Sequence, residues 1–173
     1  RRALVLVPKG VLRQWQEELY EKFALNVPRY DGRQVLDVFD EAVEVDPDAV
    51  WSGIPILLAS SQLAKRKERR DAVVAGPGWD LVIVDEAHHA RRKDFLDPRF
   101  RPNRLLELLR GFGGHPGIVG KTRCLYLLTA TPMQVHPVEV WDLLRVAGLG
   151  GRWGATQNDF LRYFTELGRP ARD

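Results

Sequence analysis

Cysteine is nearly absent from this chain, Cys124 being the only one in 173 residues. That excludes an internal disulfide, and no cysteine or histidine pair has the spacing of a structural zinc site. Within Arg123-Cys-Leu-Tyr-Leu-Leu128 the thiol reads as a small buried apolar residue. Long apolar runs are also missing. None approaches the roughly 18 residues that a membrane span requires, and Ala3-Leu-Val-Leu-Val7 is too short for a secretory signal, so a cytoplasmic chain is expected. There is no initiator Met, and the chain reads as cut from something longer. Charge of one sign is not in large excess: 26 Lys and Arg against 23 Asp and Glu leave a net +3. This permits nucleic-acid contact without demanding it. No internal repeat is visible.

The chain does have enough apolar material for one core, at 45% hydrophobic residues, and a domain of this size buries about 70% of the surface its unfolded chain exposes. Four short apolar runs stand out, Ala3 to Val7, Ile54 to Ala59, Leu81 to Val84 and Cys124 to Leu128. None alternates polar with apolar, which predicts strands covered on both faces, as in a parallel sheet between helix layers. Helical segments separate them. Val11, Trp15, Leu19 and Phe23 recur at steps of four and predict a core-facing stripe. Pro137 and Gly148 bracket a helix over Val138 to Ala147. Strand and helix in alternation give an α/β, doubly wound parallel sheet flanked by helices, whose ligands bind beyond the carboxyl ends of the strands. Lys9, Ser60, Asp85 and Thr129 all fall at such ends.

Gly111 to Gly117 is a loop by composition, and Asp31-Gly32 marks a turn. The stretch from Gly148 to Asp173 opens with a glycine-rich turn and continues as a helix from about Thr156 to Leu167. It is expected either to pack on the sheet or to begin another unit. Trp15, Trp79 and Trp141 fall on predicted core faces as packing anchors, whereas Trp51 and Trp153 lie in loops. Positive charge gathers in the middle third, in Lys65-Arg-Lys-Glu-Arg-Arg70 and Arg91-Arg-Lys93. A solvated helix face and a phosphate track are both open for these runs.

Asp85 and Glu86 close the Leu81-Val-Ile-Val84 strand. Phosphoryl transfer to water needs a metal that neutralises phosphate charge and a group that positions the nucleophile. An aspartate at a strand end can hold Mg²⁺, usually through water, and the next glutamate can orient the attacking water. An Asp-Glu pair that merely opens a helix is the plain alternative.

The residues that follow give the pair a context. Asp85-Glu-Ala-His-His89 with Thr129-Ala-Thr-Pro132 resembles motifs II and III of the superfamily 2 helicases and translocases. Leu4-Val-Leu-Val-Pro-Lys-Gly-Val-Leu-Arg-Gln-Trp-Gln-Glu-Glu18 is similar to motif Ia of the Swi/Snf-like branch. Leu57-Leu-Ala-Ser-Ser-Gln-Leu63 resembles the segment bearing motif Ib, and Thr131-Pro-Met-Gln-Val-His-Pro-Val-Glu-Val-Trp-Asp-Leu-Leu144 the segment after motif III. The likeness covers about residues 3 to 146 in order, and Asp-Glu-Ala-His-His with Thr-Ala-Thr-Pro in particular resembles bacterial members such as the RNA-polymerase-associated translocases.

The resemblance implies a partial RecA-like domain over residues 1–147, with 148–173 as the glycine-rich turn and helix that either packs on it or opens the next unit. It implies an ATP hydrolase with ATP and Mg²⁺ as cofactors. Asp85 would be the Mg²⁺ residue and Glu86 the catalytic carboxylate. His88, Thr129 and Thr131 would couple nucleotide state to nucleic acid, and Lys9, Ser60 and Ser61 would lie near the backbone of double-stranded DNA. A protein complex to be remodelled is a further implied partner.

The family's glutamine-containing motif, its phosphate loop and its second RecA-like domain have no match here. Gly120-Lys-Thr122 is no substitute for the loop, because His115 stands where the first glycine belongs and a strand follows instead of a helix. Lys121 is therefore expected on a surface loop. Val135 replaces the family's asparagine. The chain alone is expected to be inactive. A non-catalytic nucleic-acid or protein interaction module derived from such a motor is the alternative.

Overall fold

The computed structural model describes residues 1–97, 99–134 and 136–168. Its elements in chain order are β1 (Ala3–Val7), α1 (Leu12–Phe23), β2 (Arg29–Tyr30), β3 (Gln34–Leu36), β4 (Ala42–Glu44), α2 (Val50–Gly53), β5 (Ile56–Ser60), α3 (Ser61–Ala64) and α4 (Lys67–Ala75). β6 (Trp79–Val84), α5 (Arg104–Arg110), β7 (Gly111–Phe112), β8 (His115–Pro116), β9 (Thr122–Leu127), α6 (Pro137–Val146) and α7 (Gln157–Leu167) follow. The main sheet has the order β4-β3-β2-β5-β1-β6-β9. β2, β5, β1, β6 and β9 are parallel, and β3 and β4 extend that edge antiparallel. The four apolar runs are the adjacent parallel strands β5, β1, β6 and β9, so the α/β fold class stands.

The connections share one hand, which the right-handed rule takes to be the right. From β1 the chain moves toward β2 over one face through α1. From β5 to β6, and from β6 to β9, it moves the other way over the opposite face. The second face holds most of the core, where Leu4, Leu6, Leu57, Ala59, Val82 and Val84 pack with Trp51, Leu105, Leu106 and Leu109. The first face is covered only in part. Val5, Val7 and Leu58 pack against Leu12 of α1, but Tyr126 on β9 is 55% exposed and Ile56 is 42% exposed.

This corrects the expectation that both faces are covered. It also corrects Cys124, which is exposed because in-register pairing of Cys124 with Leu81 and of Tyr126 with Ile83 places both on the open face of β9. The α1 stripe differs for the same reason. Leu12 and Gln16 are its buried residues, whereas Phe23 is 67% exposed. Val11, Trp15, Leu19 and Phe23 line a groove of about 450 Å³ that reaches Asp85.

Gly111 to Gly117 is a short hairpin, β7 against β8. Trp51 is fully buried in α2 with its ring edge-on to Tyr30 at 5.5 Å; it is a core residue, not a loop residue. The side chain of Trp153 and the position of Val135 lie outside the described residues. α6 begins with Pro137 and ends before Gly148 at φ 82°. α7 packs on α6 through Trp141 and Phe160, whose rings are 5.4 Å apart. No helix among the described residues is long and apolar enough to cross a membrane.

Candidate active site

The parallel strands deliver their following residues to one edge. Asp85 leaves β6 with its N–H donating to Leu6 O at 2.8 Å, and Ala87 N–H donates to Leu128 O at 2.9 Å. The turn after β6 is thereby tied to both neighbouring strands. Glu86 takes φ 50°, ψ 46°, a left-handed conformation that costs a non-glycine residue roughly 1–2 kcal/mol. Such strain persists where the surroundings fix it. Here the two flanking backbone bonds do so.

Both oxygens of Asp85 are held. Oδ1 accepts from the Glu86 N–H at 2.9 Å, and Oδ2 accepts from the indole N–H of Trp15 at 3.0 Å. Trp15 was expected only as a packing anchor. Helical periodicity places it one turn beyond Val11, but only the topology brings α1 across β6.

Glu86 faces outward, with 43% of its side chain exposed, and its Oε2 lies 3.1 Å from His88 Nδ1. The same nitrogen lies 3.0 Å from Thr129 Oγ1. A carboxylate only accepts, so Nδ1 can serve Glu86 only in the form that carries its proton there, and toward Thr129 its role follows the tautomer. Thr129 Oγ1 also accepts the Thr131 N–H at 3.2 Å. Glu86, His88, Thr129 and Thr131 thus form one run of close polar contacts from the end of β6 to the loop after β9. His89 rests on the His88 ring at 4.2 Å. Partial burial, then the nearby His88, and more weakly Lys65 and Arg91, hold its imidazole below the ordinary histidine range, the Glu86 charge opposing them.

The remaining expected residues are placed differently. Lys9 is exposed, and its backbone N–H donates to Gln62 Oε1 at 3.0 Å. Ser60 and Ser61 are each only 5% exposed. The Ser60 hydroxyl caps α3 by accepting the Leu63 N–H at 3.1 Å, and Ser61 Oγ lies 3.4 Å from Gln62 Oε1. Their side chains are engaged locally, so Lys9 is the exposed group among these three. Lys121 lies outside the edge cluster, its Nζ donating to Val74 O at 3.1 Å.

Sequence reasoning missed the supports behind the cluster. Arg92 makes a two-pronged bond to Asp142, Nε to Oδ2 at 2.9 Å and Nη2 to Oδ1 at 2.7 Å, with both side chains buried. Arg91 pairs with Glu139 at 3.0 Å. The Arg91-Arg92 part of the basic run therefore fastens the loop after His89 to α6. His136 caps α6 by accepting the Val138 N–H at 3.1 Å, and Glu139 closes a capping box with it. Fifty residues separate Arg92 from Asp142, and no local pattern signals the pair.

A small divalent cation that retains water takes one or two carboxylates and fills its other positions with water and phosphate oxygens. Asp85 with Glu86 beside it fits that description. Among the described residues, no three His, Cys, Asp or Glu side chains converge as a closed metal cage.

Comparison with known proteins agrees with the motif order. The chain is 31% identical over 166 residues to an uncharacterized ATP-dependent helicase, YqhH, of Bacillus subtilis, covering 96% of this chain and 24% of that protein. It is 30% identical over 136 residues to the RNA polymerase-associated protein RapA of Stutzerimonas stutzeri, covering 78% and 12%. With RapA of Yersinia pestis it shares 28% over 146 residues, covering 84% and 13%. The chain therefore spans between about an eighth and a quarter of the length of these curated relatives. No family model matches.

Proposed function

Because this chain belongs to the superfamily 2 helicases and translocases, we propose that it is part of the motor of a Swi/Snf-like ATPase that moves along double-stranded DNA. The observation that carries this reading is the run of polar contacts from Glu86 through His88 and Thr129 to Thr131, beside the doubly held Asp85. Asp85 would hold Mg²⁺ through water, and Glu86 would orient the attacking water. When bound, Mg²⁺ supplies neutralisation of phosphate charge. His88 and Thr129 connect Glu86 to the loop carrying Thr131, so a change at one end is felt at the other. Lys9 offers a cation to the nucleic-acid backbone without reading bases.

The triphosphate itself needs a phosphate loop, and we assign that loop to a segment outside these residues. Topology supports a seat for it. β9 is the edge strand of the sheet, and a strand added there and then joined to β1 must travel in the same direction as the β1-to-β2 connection. By the right-handed rule its helix would lie on the open face, beside α1, Tyr126 and Asp85. Residues 1–147 are accordingly the larger part of a RecA-like unit.

Fluorescence anisotropy with labelled duplex DNA tests the reading. The logarithm of the binding constant is expected to fall linearly with the logarithm of salt concentration; a flat dependence would remove the backbone-contact role. A coupled assay is expected to detect no ATP turnover by the 173-residue chain. Robust hydrolysis abolished by Glu86→Gln would refute the assignment of the phosphate loop elsewhere.

A further inference from the structure

The run Lys65-Arg-Lys-Glu-Arg-Arg70 is divided by the fold into inward and outward cations. Arg69 lies 3.8 Å from Asp48, and Arg70 pairs with Glu107 and lies 3.6 Å from Asp71. Lys65, Lys67 and Arg104 do otherwise. Among the described residues none of the three has a carboxylate within ion-pair distance. They nevertheless converge, bordering with Arg70 a cleft of about 340 Å³ between the first turns of α4 and α5. Asp71 and Glu107 are the acidic groups of its lining, and His115 closes one side. Glu107 is committed to Arg70, so the uncommitted charge in the cleft is positive. Like charges gathered in one cleft repel, and an anion seated among them reverses that repulsion.

The cleft lies on the edge that carries the candidate active site. Lys65 follows α3, which begins directly at the end of β5, and Gln62 of that short helix binds the Lys9 amide at 3.0 Å. Across the edge, Asn103, the cap of α5, donates to His89 O at 2.6 Å. The charge of Lys65 also reaches His89, contributing to its depressed basicity. The cations therefore continue the strip begun at Lys9 and pass beside the loop after Glu86. A polyanion with regularly repeating charge, lying along this edge, meets both places at once.

We propose that the α4–α5 cleft is a second backbone-phosphate site for nucleic acid, in which Lys65, Lys67 and Arg104 contact phosphate oxygens beyond those met at Lys9. The proposal rests on the reading of the chain as part of a nucleic-acid motor. Long cationic side chains in an open cleft suit phosphates and carry no base discrimination.

The test uses the whole chain and a fluorescein-labelled duplex of about 30 base pairs, titrated by anisotropy from 50 to 200 mM KCl. Each phosphate contact contributes about 0.9 to the salt slope. The variant K65Q/K67Q/R104Q is expected to lose about two to three units of slope and at least tenfold in affinity at the lowest salt, with an unchanged circular dichroism spectrum. Arg66→Gln removes an exposed cation of the same run that does not line the cleft, and its slope is expected to stay at the wild-type value. Wild-type slope in the triple variant overturns the cleft site and leaves the motor reading in place. An equal loss from Arg66→Gln alone and from Lys67→Gln alone also overturns it, by showing diffuse charge in place of a site. Flat binding by the wild-type chain removes the motor reading's backbone contact, and the cleft site with it.

Discussion

Replacing Asp142 by alanine tests whether the loop after His89 is held by the buried Arg92–Asp142 pair. Asp142 is fully buried and Arg92 is 8% exposed. The carboxylate receives two guanidinium bonds, at 2.9 and 2.7 Å, and the Arg92 backbone N–H at 3.3 Å. Asp142→Ala leaves the guanidinium with Gln157 Oε1 at 2.9 Å and the Phe100 ring, whose centroid is 5.3 Å away. Neither neutralises its charge. Removing one partner of a buried pair costs about 3–5 kcal/mol, because the other charge is left uncompensated. For a chain of this size that corresponds to a fall in Tm of roughly 6–20 °C.

The pair's own worth is a separate quantity. Desolvating both ions offsets most of their attraction, so the double variant Arg92→Met/Asp142→Leu is expected to recover most of the loss. Urea unfolding followed by circular dichroism gives each corner of the double-mutant cycle. A loss below about 1 kcal/mol in Asp142→Ala would refute the argument, since that is the scale of an exposed pair and not a buried one.

Three further outcomes follow from particular contacts. Trp15→Phe keeps an aromatic ring, though a smaller one, and removes the N–H on Asp85, and is expected to cost at least about 1 kcal/mol in urea unfolding; in the parent chain Asp85→Asn should shift the Trp15 indole N–H resonance, and an unmoved resonance would contradict the bond. Gly117→Ala places a Cβ 2.3 Å from Leu109 O and 2.4 Å from Gly111 N, a backbone clash expected to cost about 1–3 kcal/mol. Gly120→Ala, with nothing within 4 Å, should leave Tm unchanged. Cys124 is exposed on β9, so a maleimide should label the native protein to one equivalent without denaturant; protection until unfolding would show the strand face to be covered.

Four of the five parallel strands, β1, β5, β6 and β9, were legible because each reads as an unbroken apolar run of four to six residues. β2, β3 and β4 escaped because Arg29–Tyr30, Gln34–Leu36 and Ala42–Glu44 are two- or three-residue edge pieces held by ladder bonds and turns. The α1 stripe was legible as a stripe but not as to what it faces. Periodicity reports that one side of a helix is apolar; whether a neighbour covers that side is a property of topology. Gln16 shows the converse. It is buried because Val27 O and Leu36 O accept from its Nε2, at 2.8 and 3.0 Å, and Arg29 donates to its Oε1 at 2.7 Å, partners supplied by an edge the pattern did not reveal.

The candidate site divides along the same line. Asp85, Glu86 and Thr129 could be placed from the strand ends, and His88 and Thr131 were named only through the family resemblance; two adjacent strands bring these distant segments together. Their supports were not legible. Trp15 and Asp85 lie 70 residues apart, and Arg92 and Asp142 lie 50 apart. Each bond requires a helix to cross a particular strand or loop. The exposed end of Glu86 and the buried end of the Arg92–Asp142 pair therefore belong to one device. A carboxylate held in a strained turn keeps its geometry only while the following loop is fixed, and α6 fixes it through Arg91 and Arg92. On this argument, loosening Asp142 should blur the resonances of His88 and Thr131 before it unfolds the sheet. Sharp, unshifted signals at both residues in a destabilised Asp142→Asn chain would separate the two and defeat it.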